Sequence, residues 1–243
     1  MTYSSKIFFG ELVAGYLCGD IFVDERSLDE LIGVFREFGI IPDLMANAKG
    51  RIGDLSRVRK RINWDELDRI EVFAGVSPEN VHQPSLTWTH CGLVSRSVAY
   101  MCSKAGSVST DEMMRGFLEL DCAKNFIYGY SRAGSLYEDL VFGELGALPW
   151  RASNSVKKNI SEWAAHNRGE KFPKKLWRVF ETNFFRPRMF FVDDMPLEEW
   201  IAKKSIGSIA PHEKSGLLVW RCCESDIAAA TAILIVADLL VSY

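Results

Sequence analysis

The serine best placed for nucleophilic chemistry is Ser131, in the run Gly129-Tyr-Ser131-Arg-Ala-Gly134. A nucleophile elbow needs Gly-x-Ser-x-Gly, because the second glycine closes the sharp turn that lifts the serine oxygen into the open. Here that glycine comes one residue late, and the spacing reads as turn chemistry. His90 and Cys91 are the nearest thing to a Cys–His couple. On an extended strand, however, adjacent side chains point to opposite faces and do not touch. The four histidines, His82, His90, His166 and His212, form no His-x-x-x-His pair and have no cysteine at ligand spacing. No zinc site is expected from them. Neither a Gly-x-x-x-x-Gly-Lys-Ser/Thr loop nor a Gly-x-Gly-x-x-Gly turn occurs, which removes the simple phosphate cradles. The expectation is therefore no catalytic residue, no cofactor and no metal.

Charge carries more information than reactivity. The chain of 243 residues has a formal charge of only -3 and is 48% hydrophobic, which suits a folded protein with a sizeable core and excludes a polybasic or disordered chain. Within it, residues 49–61 hold Lys49, Arg51, Arg57, Arg59, Lys60 and Arg61 against Asp54, so a mostly acidic body carries one basic segment. With Trp64 beside it, that segment has the composition of a nucleic-acid contact, since cations hold phosphate and an aromatic stacks a base. A solvated helix face is the simpler reading, and no direct nucleic-acid partner is expected. Adjacent carboxylates occur at Asp24-Glu25, Glu138-Asp139, Asp193-Asp194 and Glu198-Glu199. Such pairs repel and normally stay in water. Asp24, Glu25, Glu138, Asp139, Asp193 and Asp194 are the candidate contacts to a basic surface on a partner, where opposite charge steers association.

The cysteines, Cys18, Cys91, Cys102, Cys122, Cys222 and Cys223, have no framework spacing and mostly lie in apolar runs, as reduced core thiols do. Glu11 interrupts the apolar run after Lys6, and Ile227 to Ala237 is too short to span a bilayer, so a signal peptide and a membrane partner are not expected. A reducing, cytoplasmic setting is the expectation.

The elements that must position these groups follow from periodicity. Ile7–Cys18 reads as a strand, and Ser27-Leu-Asp-Glu30 as a capping box opening a helix through Phe38, with Gly39 its stop. Ile70–Val76 and Leu86–Val94 read as strands, Ser109-Thr-Asp-Glu112 opens a second helix, and Phe126–Tyr130 is a further strand. The order βαββαβ is that of a ferredoxin-like unit. The predicted fold class is α+β: an antiparallel sheet with helices on one face, a ferredoxin-like N-terminal lobe at 1–135 and a second α+β lobe at 136–243 packed against it, or one continuous domain. In the second lobe, Val156–Ala164 reads as a helix ended by Gly169, Pro196 as a helix start, Gly216–Cys222 as a strand, and Ser225 or Asp226 as the cap of an Ala-rich amphipathic last helix. Leu239–Ser242 is a candidate edge strand.

In order along that second lobe stand Leu176, Arg178, Val179, Phe180, Asn183 and Phe184, then Leu197, Trp200 and Ile201, then Gly216, Leu217 and Trp220 ahead of the closing helix. This pattern resembles the C-terminal part of the immunity protein 52 family, while residues 40–150 match nothing in it. The resemblance implies an immunity protein of a bacterial polymorphic-toxin or type VI secretion system, the protective half of a toxin-antitoxin pair. Such a protein binds a cognate secreted toxin effector in the cytoplasm and blocks its active site by protein-protein interaction, without catalysis of its own. The implied effector is a restriction-endonuclease-like nuclease toxin. No lysine here has Asp or Glu two positions before it, so the Glu-x-Lys of such nucleases is missing and the protective half is favoured. The alternative is an uncharacterised hydrolase or transferase whose Ser131, Cys91 or histidine is brought into a site only by the fold. Composition leaves self-association open.

Overall fold

The computed structural model describes residues 12–19, 24–39, 41–46, 51–64, 69–73, 85–91, 95–102, 110–134, 175–176 and 178–240. In chain order the elements are β1 (Leu12–Gly19), α1 (Glu25–Glu37), β2 (Leu44–Ala46), β3 (Ile52–Asp54), α2 (Leu55–Arg59), β4 (Arg69–Phe73), β5 (Ser85–Cys91) and β6 (Ser95–Cys102). There follow α3 (Thr110–Leu118), a 3-10 turn (Asp121–Asn125), β7 (Phe126–Gly134), β8 (Thr182–Phe185), β9 (Phe191–Val192), β10 (Met195–Pro196), α4 (Leu197–Lys204), β11 (Ser208–His212), β12 (Leu217–Arg221) and α5 (Glu224–Val236). The helix expected at 156–169 lies outside the described residues.

Ten of the strands form one sheet in the order β11-β12-β8-β7-β1-β6-β5-β4-β2-β3. Each pairing in it is antiparallel, so the α+β class holds. The N-terminal half departs from the ferredoxin-like unit, adding β2, β3 and β6 to the four strands expected. That unit sets its first and third strands side by side and parallel, whereas here β6 stands between β1 and β5 and runs antiparallel to both. The run read as one strand, Leu86–Val94, ends at Cys91, and Cys91 pairs with Ser95 as the chain returns along β6. The sheet continues through the expected boundary near residue 135, because β7 of the first half pairs with β8 of the second.

Side-chain alternation divides the core between the two faces of the sheet. Phe184, Leu217 and Val219 belong to a first core with Leu28, Leu31, Ile32 and Phe35 of α1 and Met114, Phe117 and Leu118 of α3. Their strand neighbours Phe185 and Trp220, with Tyr128 and Tyr130 of β7, belong to a second core with Leu197, Trp200 and Ile201 of α4 and Ala230 and Leu234 of α5. Helices therefore cover both faces. The one-face arrangement is right only for the N-terminal pair α1 and α3.

α1 forms because Leu28, Leu31, Ile32 and Phe35 recur on one face, and that face is buried. Phe35 meets Phe117 edge-on, ring centres 6.1 Å apart, an arrangement aromatic quadrupoles favour. The helices approach closely at Gly116, where a β-carbon would lie 2.9 Å from Val34 Cγ1. The helix begins one turn earlier than the Ser27-Glu30 box implies. Its N-cap is Asp24, which accepts from Ser27 N–H at 2.7 Å, and it stops at Phe38 before Gly39, whose φ is 71°.

The second core is aromatic. Tyr130 stacks on Phe180 with centres 4.1 Å apart, and Phe190 receives Tyr128 and Phe185 edge-on, each at 5.9 Å. Trp220 is fully buried and donates Nε1–H to Ile206 O at 2.9 Å, so its one polar atom is satisfied. Gly207 makes this possible, with φ 73° and a β-carbon position only 2.2 Å from Arg221 O. Beyond them β11 forms one edge of the sheet, with Pro211 exposed one residue before its end, where a missing N–H is tolerated. Of the expected closing strand, residues 241 and 242 lie outside the described residues, and Leu240 makes a bridge with Leu176.

Candidate functional site

The carboxylate pairs separate into different roles. Asp24 caps α1, and its bonds with Ser27 hold its carboxyl below the ordinary value. Glu25 accepts from Arg59 Nε at 2.7 Å, and Asp29 receives both terminal nitrogens of the same guanidinium at 2.6 Å. This forked pair holds the Arg59 guanidinium well above its ordinary value, Asp29 being the larger cause, and it pins α2 to the first turn of α1. A candidate acidic contact and a residue of the basic segment thus neutralise each other. Glu138 and Asp139 lie outside the described residues.

Asp193 and Asp194 differ from these. They are the two central residues of the turn joining β9 to β10, with φ of 49° and 62°. Two positive φ values in a two-residue hairpin loop define a type I′ turn, whose second position usually takes glycine. Both residues are exposed, and among the described residues neither carboxylate has a hydrogen-bond or ion-pair partner. The base of this hairpin is fixed. Val192 and Phe190 are buried in the second core, Leu197 N–H donates to Phe190 O at 2.9 Å, and Glu198 accepts from Arg188 N–H at 2.8 Å. Beside the two acids, Phe191 is 48% exposed. No sequence signal marked this hairpin, because Asp-Asp lacks the glycine that usually announces such a turn.

The basic segment is partly consumed by the fold. Asp54 caps α2, accepting from Arg57 N–H at 3.0 Å and Ser56 Oγ–H at 2.5 Å, and the Ser56 bond leads in lowering its pKa. Trp64 packs against the first core instead of standing free to stack a base. Arg57, Lys60 and Arg61 remain exposed, and Lys49 lies outside the described residues.

Ser131 lies within β7, fully buried, with no hydrogen-bond partner for its Oγ. The run containing it is a strand, so the turn reading is corrected. The serine that does meet a histidine is Ser215, which sequence spacing did not single out. His212 Nδ1 lies 3.1 Å from Ser215 Oγ, and His212 Nε2 lies 3.2 Å from Glu119 Oε1. The trio has the order of a relay, but Ser215 is only 2% exposed and its Oγ also accepts from Leu217 N–H at 3.3 Å. It works as a clasp between the β11–β12 hairpin and the end of α3. Lys214 strengthens the clasp by donating to Glu119 O and approaching Asp121 at 3.5 Å, and Arg26 reaches Asp121 at 3.3 Å. Arg186 donates to Ser215 O at 2.7 Å and to Lys124 O, and burial lowers its pKa.

Cys122 and Cys222 are buried free thiols, each pushed up to about 12 by desolvation, while Cys223 is exposed at the start of α5. Among the described residues no three His, Cys, Asp or Glu side chains gather as a metal site, and no helix is long and apolar enough to cross a membrane.

The residues carrying the family resemblance are mostly structural. Leu176, Val179, Phe180, Leu197, Trp200, Ile201 and Trp220 line the second core, and Phe184 and Leu217 the first. Buried Asn183 ties Phe180 twice, accepting from its N–H at 3.0 Å and donating to its carbonyl at 2.7 Å.

No family model matches the chain, so the likeness to immunity protein 52 rests on the quoted residues alone. No curated protein matches it either. Among solved structures, a T6SS protein of Pseudomonas aeruginosa aligns over 87% of this chain at 11% identity with a TM-score of 0.48. The chain spans 66% of that protein's length. A likeness at that level assigns neither family nor role.

Proposed function

We propose that this chain is an immunity protein that binds a cognate secreted toxin effector in the cytoplasm of the producing cell and blocks its active site. A nuclease of the restriction-endonuclease-like class is the effector best matched to an acidic binding surface, since its substrate groove must be basic to hold DNA. The observation that carries the reading is the β9–β10 hairpin. It offers two unpartnered carboxylates beside a half-exposed phenylalanine, on a base locked into the aromatic core. Holding a non-glycine residue at positive φ costs free energy, and such cost gathers at sites that bind. Rigid acids next to an aromatic anchor can steer a basic partner and then bury apolar area at the centre of the contact.

Co-expression with the toxin encoded beside it tests the reading. Growth rescue and a stoichiometric complex are expected. In the purified pair, Asp193→Asn with Asp194→Asn should slow association about tenfold at low salt, with the loss shrinking at high ionic strength. Absence of both rescue and co-purification overturns the immunity role. An unchanged, salt-independent association rate overturns the hairpin as its contact.

A further inference from the structure

We propose that the outer edge of β3 takes up an extended acidic peptide as an added strand, with the cations of α2 holding its carboxylates, and that this surface is independent of the β9–β10 hairpin. β3 stands last in the sheet and, among the described residues, pairs only with β2. Its outer edge therefore offers backbone N–H and C=O groups that a further strand can meet. At the opposite end of the sheet Pro211 withholds an amide hydrogen from β11. β3 has no such block, and Gly53 at its centre lets α2 lie close, a β-carbon there falling 3.1 Å from Val58 Cγ2. A strand of three residues makes too few backbone bonds to hold a peptide by itself. Charge has to supply the rest.

α3 packs on β7 and β1, α1 packs on α3, and α2 packs on β2 and β3, so α2 is the outermost helix on its face of the sheet. The Arg59 fork on Glu25 and Asp29 turns that side chain inward to α1, while Val58 faces the sheet. Arg57 and Arg61 lie two positions either side of Arg59, which at about 100° per residue sets them on the opposite, outward side. The winding continues as far as Arg61, because Lys60 keeps right-handed helical angles and Arg61 N–H donates to Val58 O at 3.0 Å. Arg57, Lys60 and Arg61 are all exposed, and among the described residues none of their side chains enters a hydrogen bond or ion pair. Asp54 is occupied as the cap of α2, with Ser56 and Arg57 N–H, and Asp43 and Arg51 are engaged elsewhere. Three free cations thus overhang an open strand edge. Arg57 and Arg61 stand about 6 Å apart along α2, and same-face side chains of a strand about 7 Å apart, so acids at alternate positions of the peptide meet both. A nucleic acid would use the cations but not the strand edge, and Trp64 is packed against the first core where it stacks no base. A second copy of this chain would set these cations against their own equivalents across a two-fold contact.

Fluorescence anisotropy on the whole protein tests this with a peptide alternating glutamate and valine, the same peptide N-methylated at every amide, and a version with lysine for glutamate. The glutamate peptide should bind about tenfold more tightly than either of the others at low salt, and more weakly as ionic strength rises. Arg57→Gln with Arg61→Gln should weaken its binding about tenfold and leave the circular dichroism and urea midpoint unchanged. Should that variant be unstable, the methylated peptide on the wild-type protein still decides. Asp193→Asn with Asp194→Asn should bind the peptide as the wild type does, which separates this surface from the toxin contact. No binding, equal binding of the methylated peptide, or undiminished binding by the folded arginine variant overturns the proposal. So does tighter binding of a thymidine oligonucleotide of equal charge, or self-association that the arginine variant abolishes.

Discussion

Asp24 shows how a residue with the look of a partner contact is claimed by the backbone. Its carboxylate closes the first turn of α1, and its pKa is lowered mainly by the Ser27 side-chain hydrogen bond, with the Ser27 backbone bond next. A carboxyl whose folded pKa is depressed adds stability above its ordinary value, and that contribution is lost as pH falls through the lowered folded value. Asp24→Ala should therefore cost about 1 kcal/mol at neutral pH. Asp24→Asn should retain most of the cap. Urea titrations at neutral pH and again in strong acid check this, and the gap between wild type and Asp24→Ala should close in acid. The sequence placed the helix correctly but its cap one turn late, because Ser27 and Glu30 satisfy the box spacing as well as the true cap does. Glu25 and Arg59 were legible as charges but not as a pair. Nothing in a linear chain tells that residues 34 positions apart will meet at 2.7 Å.

At the scale of elements, what was legible depended on local pattern. α1, β12 and the start of α4 were found from periodicity, glycine and proline. β6 was missed because Ser95-Arg-Ser-Val-Ala-Tyr-Met-Cys opens on polar residues and the preceding strand had been extended to Val94 across Gly92. β11 was hidden by Gly207 and Pro211, both of which read as loop. Gly207 is in fact what lets the chain leave α4 and enter β11 beneath the Trp220 indole. Gly207→Ala should destabilise the fold by about 2–3 kcal/mol, through positive φ together with the clash on Arg221 O. A lowered urea midpoint, with loss of the near-ultraviolet Trp signal at the same denaturant concentration, would register it. A wild-type midpoint would mean that β11 can shift to make room.

For the whole molecule, the two cores lie on opposite faces of one sheet, and Phe184 and Phe185 of β8 point one into each. Neither core can lose the strand between them without uncovering the other. Thermal unfolding should accordingly be one transition, with amides of α1 and α4 opening together in hydrogen exchange. Two separate transitions would mark the sheet as a joint between independently stable halves. This topology was beyond reach of the sequence, since strand order depends on contacts far apart in the chain. Pro211 has its own consequence at the other end of the sheet. A strand arriving at the rim of β11 would find a ring where it needs an amide hydrogen, so stacking sheet upon sheet into fibrils is discouraged at that border. Concentrated solutions of the protein should stay clear where the same chain with an unbroken β11 would cloud.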